Sequence, residues 1–175
     1  MLRERSIASA TGWSRQTRAF KKKEIKMNPP DFVTLHIDSE DLPWIKFVDG
    51  VQVRILHARS SEDFIVTQIK ASPGAESGLH RHLGPVFGWT VSGHWGHDRN
   101  YQYRPGTYIF ETPGVIHKFL AGAEPVTAVY ISHGALEQID PETLEVTQTI
   151  TPTDYLNHYL AACEEAGMPR PEFLT

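Results

Sequence analysis

The amino-acid sequence predicts an all-β protein, a sandwich or barrel of short strands that is followed by one C-terminal helix. Three observations lead to this prediction. Strand-like runs recur at short intervals, glycine or proline separates them, and the apolar residues change to a helical period near the end. Short strands at roughly 8–12-residue spacing with turn signals between them are typical of sandwiches and barrels. A chain of 175 residues is long enough for one domain with a sizeable core.

The strand-like runs are rich in β-branched and aromatic residues and alternate between apolar and polar positions. In chain order they are FVTLHI (32–37), VQVRILHA (51–58), FIVTQIKA (64–71), VFGWTVSG (86–93), TYIFE (107–111), HKFLAG (117–122) and VTAVYIS (126–132). EQIDPETLEVTQ (137–148) predicts a further hairpin with its turn at Asp140 and Pro141. We therefore assign residues 28–150 to the β-barrel.

The two ends of the chain are predicted to differ from the barrel. Residues 1–27 are basic and lack the apolar stretch of a secretory signal, so we expect a disordered extension or an over-long start before Met27. An organelle transit peptide is the weaker alternative. Residues 151–175 begin with Thr151 as a helix N-cap and Asp154 at the capping-box position. They predict an amphipathic helix that packs on the barrel or on a partner subunit.

Composition excludes several classes of function. The formal net charge is −4, and the basic residues cluster before residue 27, so the predicted barrel is acidic. An acidic body disfavours a nucleic-acid partner, because phosphates would be repelled. No apolar run approaches the 18 or so residues of a membrane span. The single cysteine, Cys163, cannot form an intrachain disulfide, which suits a reducing compartment and predicts a cytoplasmic protein.

Two histidines in GLHRHLGPVFGW (78–89) predict half of a metal site. Side chains alternate along a strand, so His80 and His82 point to the same face, with Cβ atoms about 6–7 Å apart. Two imidazoles can share one metal across that gap. The pair alone is weak evidence, because the chain has nine histidines.

The surrounding spacing strengthens this interpretation. It closely resembles the two-motif signature of the cupin superfamily, in which two adjacent β-hairpins bring three histidines onto one metal inside a double-stranded β-helix, or jelly-roll barrel. The first motif is carried by Gly74, His80, His82 and Gly93, and the second by Gly106, Gly114 and His117. The resemblance implies that the metal ligands are His80, His82 and His117.

The chain departs from the cupin pattern at three positions. Val86 stands where the first motif has glutamate, Thr112 where the second has proline, and Ala121 where it has asparagine. Without the glutamate, three neutral imidazoles would leave a divalent metal with more positive charge and more open positions. An anionic bidentate substrate could then bind the metal. The alternative is that the site has decayed.

Four stretches carry a narrower resemblance: LPWIKF (42–47), LHRHLGPVFGWTVSGHW (79–95), GTYIFETPGVIH (106–117) and SHGALEQIDPETLEVT (132–147). They resemble the 2,4′-dihydroxyacetophenone dioxygenase group of cupins, close to the cupin domain of ChrR-type proteins. This resemblance implies a non-haem Fe(II) enzyme that cleaves a C–C bond of a hydroxyaryl ketone with O2. Some members carry an acid near the position of Asp98, which implies a fourth ligand or a nearby base. The alternative is an exposed turn acid.

The resemblance implies one divalent metal, a small-molecule substrate with O2, and a homodimer. Fe(II) is the expected metal, and Zn, Ni or Mn are the alternatives. The other function considered is a non-catalytic zinc-binding cupin that senses a small ligand, and a third is a metal-free binding or isomerase cupin.

An apolar wall is expected around the metal, although only some of its candidates can face inward: Val86, Phe87, Trp89, Tyr108, Phe110 and Phe119. His94 or His97 could reach the pocket rim, and His133 could donate a hydrogen bond to a residue of the site.

Overall fold

The computed structural model describes residues 36–168 together with Pro171 and Leu174. The predicted extension, residues 1–27, and residues 32–35 of the first predicted strand lie outside this part of the chain. Twelve strands and one α-helix form its regular structure apart from two short 3₁₀ turns. In chain order they are β1 (Ile45–Val48), β2 (Val51–Arg59), β3 (Phe64–Ala71), β4 (His80–His82), β5 (Val86–Ser92), β6 (Trp95–Gly96), β7 (Tyr108–Glu111), β8 (Ile116–His117), β9 (Leu120–Ala121), β10 (Val126–His133), β11 (Leu136–Ile139), β12 (Val146–Ile150) and α1 (Pro152–Glu165).

The strands form three antiparallel sheets. The largest has the order β1-β2-β3-β10-β5-β7, the second has the order β12-β11-β4-β8, and β6 pairs with β9. Some neighbours are consecutive strands, but the pairs β3-β10, β10-β5, β11-β4 and β4-β8 join distant parts of the chain. The fold therefore depends on long-range pairing. The predicted all-β class with one C-terminal helix is confirmed. None of the helical segments in the described residues is long and apolar enough to cross a membrane.

Five predicted runs agree with the structure to within about one residue at each end, and they correspond to β2, β3, β5, β7 and β10. The predicted hairpin with its turn at Asp140 and Pro141 is formed by β11 and β12. The predicted run at 117–122 is instead divided between β8 and β9, which lie in different sheets. In the first predicted run, His36 and Ile37 are not in a strand. β1 overlaps LPWIKF (42–47) and extends to Val48, and this segment was not predicted as a strand.

Helix α1 begins where the sequence predicts. Thr151 is the N-cap, and its hydroxyl oxygen accepts a hydrogen bond from the Asp154 backbone N–H at 3.1 Å, while the Asp154 carboxylate accepts one from the Thr151 N–H at 2.9 Å. The helix ends at Glu165, shortly before Gly167, which has a φ of 65°.

One face of α1 is buried against the large sheet. Leu156, Tyr159 and Cys163 belong to a core cluster that also contains Ile45 of β1 and Ile55 of β2. The Tyr159 hydroxyl donates a hydrogen bond of 2.8 Å to the carbonyl oxygen of Pro43. A buried tyrosine hydroxyl needs such a partner, because leaving it unpaired costs free energy. The helix thus packs on the barrel surface.

A second core cluster lies between the sheets, next to the histidines. Its centre is Trp95, which is fully buried, and its indole N–H donates a hydrogen bond of 2.9 Å to the Thr90 hydroxyl. The Phe119 ring packs on it with a centroid separation of 4.8 Å. This cluster forms the rigid support from which the candidate site is built.

Candidate metal centre

The three histidines of the sequence prediction converge inside the barrel. His80 and His82 lie on β4, and His117 on β8 is directly opposite His80 in the antiparallel register. The three ring centroids are 4.7 to 5.6 Å apart. One nitrogen from each ring lies within 4.8 Å of the corresponding atoms of the other two, a spacing that could hold a metal ion.

The histidines are held as neutral imidazoles. Burial lowers the pKa of His82 and of His117 to about 4, and it also lowers the pKa of His80. The His80 Nδ1 lies 2.8 Å from the Gly78 carbonyl oxygen, which can only accept, so this nitrogen carries the proton. The lone pair of His80 is therefore on Nε2. A neutral imidazole with its second nitrogen hydrogen-bonded to a carbonyl is a common form of metal ligand.

A buried carboxylate, Glu111, lies among the histidines. It is at the end of β7, and the register between β5 and β7 places it directly opposite Val86. One oxygen, Oε2, is 3.4 Å from Nε2 of His82 and 3.5 Å from Nε2 of His117, and it has no hydrogen-bond partner. Burial raises the pKa of Glu111, but the hydrogen bond from His97 and the nearby imidazoles outweigh it and lower the pKa overall. Glu111 is therefore ionised at neutral pH.

His97 fixes the orientation of this carboxylate. Its Nε2 donates to Glu111 Oε1 at 3.1 Å, and its ring stacks on His117 with a centroid separation of 4.3 Å. Because Nε2 carries the proton, Nδ1 can accept a hydrogen bond from the Tyr103 hydroxyl, which is 3.4 Å away. His97, Glu111 and His117 form a second group whose ligand atoms lie within 4.8 Å of one another.

The donor set fits a divalent cation. The Nε2 atoms of His82 and His117 both face the Oε2 atom of Glu111, which accepts no hydrogen bond from either ring. Atoms bound at about 2.1 Å around one tetrahedral metal lie roughly 3.4 Å apart. The observed separations of 3.4 and 3.5 Å match that value. An unpartnered buried carboxylate oxygen is costly unless something positive binds it.

The histidines open onto an internal cavity of about 130 Å³. Its walls are mostly apolar and come from β1, β2, β3 and the start of α1, and the polar groups are concentrated around the histidines. Ile65, Ile69, Phe119 and Tyr155 are among the apolar lining residues. Such a cavity suits a small organic molecule with a few polar atoms.

Residues 33–137, more than half of the chain, match the ChrR cupin-like domain family. The chain belongs to this family. The prediction that the chain is a cupin with a jelly-roll barrel is therefore confirmed. No protein with a curated description matches the sequence.

Solved structures share this cupin fold at low sequence identity. An RmlC-like cupin from Ralstonia eutropha is 24% identical, with a TM-score of 0.74 over 85% of this chain and 99% of the other. A second cupin-like protein of unknown function from the same organism is 20% identical, with a TM-score of 0.72 over 82% and 93%. An acetylacetone dioxygenase from Acinetobacter johnsonii is 17% identical, with a TM-score of 0.64 over 75% and 93%. These similarities establish the fold.

The remaining site candidates of this cupin lie elsewhere. Asp98 is exposed in a turn, where its carboxylate accepts a hydrogen bond of 2.8 Å from the Asn100 backbone N–H. It belongs to neither group of ligand atoms found in the described residues. His94 is exposed, 3.8 Å from the Glu124 carboxylate, and His133 packs on the Phe64 ring rather than on the site.

The proposed apolar wall is divided between two faces of the sheet. Val86 and Phe119 line the cavity. Trp89, Tyr108 and Phe110 are 41%, 53% and 51% exposed on the outer face, because strand residues alternate between the two sides.

Sequence reasoning missed Glu111 and gave His97 only a place at the rim. One signal was available: Glu111 is an acid in a run of β-forming residues, in the same alternation as the buried Ile109. An acid on the inner face of a strand is a strong indication of function, because isolated charges are rarely buried.

Proposed function

We propose that this cupin is a metal-dependent dioxygenase that uses non-haem Fe(II) and O2 to cleave a C–C bond of a hydroxyaryl ketone or a diketone-like small molecule. The observation that carries this proposal is the buried convergence of His80, His82 and His117 at the edge of a mostly apolar cavity. The shared fold with an acetylacetone dioxygenase supports it.

The residues of the site have distinct roles in this proposal. His80, His82 and His117 hold the metal as neutral ligands, and the Gly78 carbonyl orients His80. When bound, iron would supply Lewis acidity toward the substrate oxygens and redox chemistry toward O2. The apolar walls hold the hydrocarbon part of the substrate and exclude water. One oxygen atom of O2 enters each fragment, so the reaction needs no separate reductant.

The test is anaerobic reconstitution with Fe(II), followed by O2 uptake with a panel of hydroxyacetophenones and β-diketones. We expect uptake with at least one substrate, loss of activity by a factor of 100 or more in His82→Ala, and retention in His94→Ala. His94 is a matched control because it is exposed and lies outside the cluster. Uptake no greater than that of His82→Ala for every compound would contradict the proposal.

A second candidate is a non-catalytic zinc-binding cupin that senses a small ligand, and Glu111 favours it. If Glu111 Oε2 binds the metal with the three imidazoles, four protein ligands close a tetrahedral site, as in structural zinc centres. Elemental analysis of the purified protein separates the candidates. Stoichiometric zinc whose coordination does not change when small ketones are added would support the sensor. Iron with open coordination positions would support the enzyme.

We also propose that the protein is a cytoplasmic homodimer whose only partners in the reaction are the small substrate and O2. The lone cysteine, Cys163, is free and buried, which suits a reducing compartment. The aromatic outer face formed by Trp89, Tyr108 and Phe110 is the surface that we assign to the dimer.

A further inference from the structure

Tyr130 lies on the inner face of the large sheet, between two neighbouring strands. It lies on β10, where the register places it opposite Thr67 of β3 on one side and Gly88 of β5 on the other. Its neighbour Val129 is opposite Trp89, whose side chain is on the outer face, so alternation directs Tyr130 inward. Tyr130 accordingly lines the cavity.

Gly88 sets the direction of the tyrosine ring. A Cβ atom built on Gly88 would lie 2.9 Å from both Cδ1 and Cε1 of Tyr130, so the ring occupies the space that any side chain at this position would need. Because β5 lies between β10 and β7, the ring extends across β5 toward the strand that carries Glu111. Burial and then the Glu111 charge raise the pKa of Tyr130 well above its ordinary value.

The hydroxyl of Tyr130 has no hydrogen bond with any of the residues that the structure describes, in contrast to Tyr159, which donates to Pro43. Tyr130 is partly buried and lines the same cavity as the three histidines. Its hydroxyl is therefore an available donor in that cavity. A polar atom in a mostly apolar cavity is the kind of group that fixes the orientation of a ligand.

We propose that Tyr130 positions the substrate by donating its phenolic hydrogen to a carbonyl or enolate oxygen of a small ketone held beside the three histidines. This inference rests on the proposed function in one respect, which is that the cavity binds a ketone. Gly88 contributes to this role, because it has no side chain and therefore leaves space for the Tyr130 ring.

The test measures ligand binding separately from turnover. Zn(II)-loaded protein, which cannot activate O2, is titrated by calorimetry with 2,4′-dihydroxyacetophenone and with 4-ethylphenol, which has the same phenol ring but neither the carbonyl nor the α-hydroxyl oxygen. We expect Tyr130→Phe to weaken binding of the ketone by about 10-fold or more, as for the loss of one hydrogen bond to a charged or polarised oxygen. Binding of 4-ethylphenol stays within about twofold of wild type.

Two further variants control for packing. Tyr108→Phe removes a hydroxyl from the outer face and leaves both affinities unchanged. Gly88→Ala displaces the Tyr130 ring, so it weakens ketone binding in the wild-type background and has little further effect in Tyr130→Phe. Thermal denaturation of each variant verifies that it is folded.

The outcomes separate this inference from the proposed function. If no substrate gives O2 uptake but Tyr130→Phe loses ketone binding selectively, the inference stands and the dioxygenase proposal fails. If O2 uptake occurs and Tyr130→Phe has the wild-type KM and the wild-type affinity for the ketone, the inference alone fails. Equal loss of both ligands, or no binding of the ketone to the wild-type protein, also overturns it.

Discussion

At the scale of single residues, the acid of the site is displaced rather than absent. The sequence pattern has Val86 where the cupin superfamily has glutamate, and this predicted a centre with three neutral imidazoles. In the structure, Glu111 lies directly opposite Val86 on the neighbouring strand and directs one unpartnered oxygen at His82 and His117. The candidate site is therefore less positive than predicted.

Replacement of Glu111 by glutamine is expected to have opposite effects on the metal-free and metal-loaded protein. Glutamine keeps the acceptor for His97, and it replaces a buried charge that has one unpartnered oxygen with a neutral amide. We expect the free energy of unfolding of the metal-free protein to rise by about 1 kcal/mol. Metal affinity should fall about 10- to 100-fold. Thermal denaturation in chelator and competitive metal titration measure the two effects.

The control for this variant is Glu124→Gln, since Glu124 is an exposed acid near His94. Unchanged metal affinity in Glu111→Gln, together with a less stable metal-free protein, would mean that Glu111 serves packing rather than the metal. The convergence of His80, His82 and His117 could be predicted, because the spacing of these histidines and the nearby glycines resembles the cupin pattern. Glu111 could not, because its position depends on which residue of β7 pairs with Val86.

At the scale of elements, the longer strands and the helix were predicted and the shortest strands were not. β3 and β10 pair along eight residues each, so their alternation is visible in the sequence. β6, β8 and β9 have only two residues each, and they are strands only because distant segments pair with them. The helix was predictable because its start is encoded locally, by Thr151, Pro152 and Asp154.

The N-cap of α1 gives a prediction at this scale. Thr151→Ala removes the side-chain acceptor for the Asp154 N–H, so we expect the free energy of unfolding to fall by about 1 kcal/mol in urea denaturation. Thr153→Ala, at an exposed helical position without this bond, is the matched control and should cost nothing. Because Thr151, Pro152 and Tyr155 also line the cavity, fraying of this turn should weaken ligand binding in parallel. Equal stability of the two variants would contradict the prediction.

At the scale of the whole molecule, the aromatic residues of β5 and β7 form an exposed ladder. Trp89 stacks beside Tyr108 at a centroid separation of 5.2 Å, and Phe87 beside Phe110 at 5.4 Å. β7 is the edge strand of the large sheet. Contiguous apolar surface of this kind at a sheet edge is typical of an interface. The sequence predicted these residues as a pocket wall because strand alternation alone does not reveal which face is inside.

The homodimer prediction can be tested on this surface. We expect the wild-type protein to sediment as a dimer and Phe110→Lys to sediment as a monomer, because a charge replaces a ring in the ladder. Thr149→Lys, on the exposed strand β12, is the control and should remain dimeric. A wild-type monomer at tens of micromolar, or a dimer in all three proteins, would show that the ladder does not form the interface.

The direct opposition of His80 and His117 also bears on how the chain folds. β4 has three residues and β8 has two, so few backbone hydrogen bonds distinguish their correct pairing from a slip of one residue. Such a slip would turn the side chains of the slipped strand to the opposite face of the sheet and separate the two imidazoles. An ion bound to both histidines would therefore hold the register of this two-residue pairing while it prepares the site for chemistry.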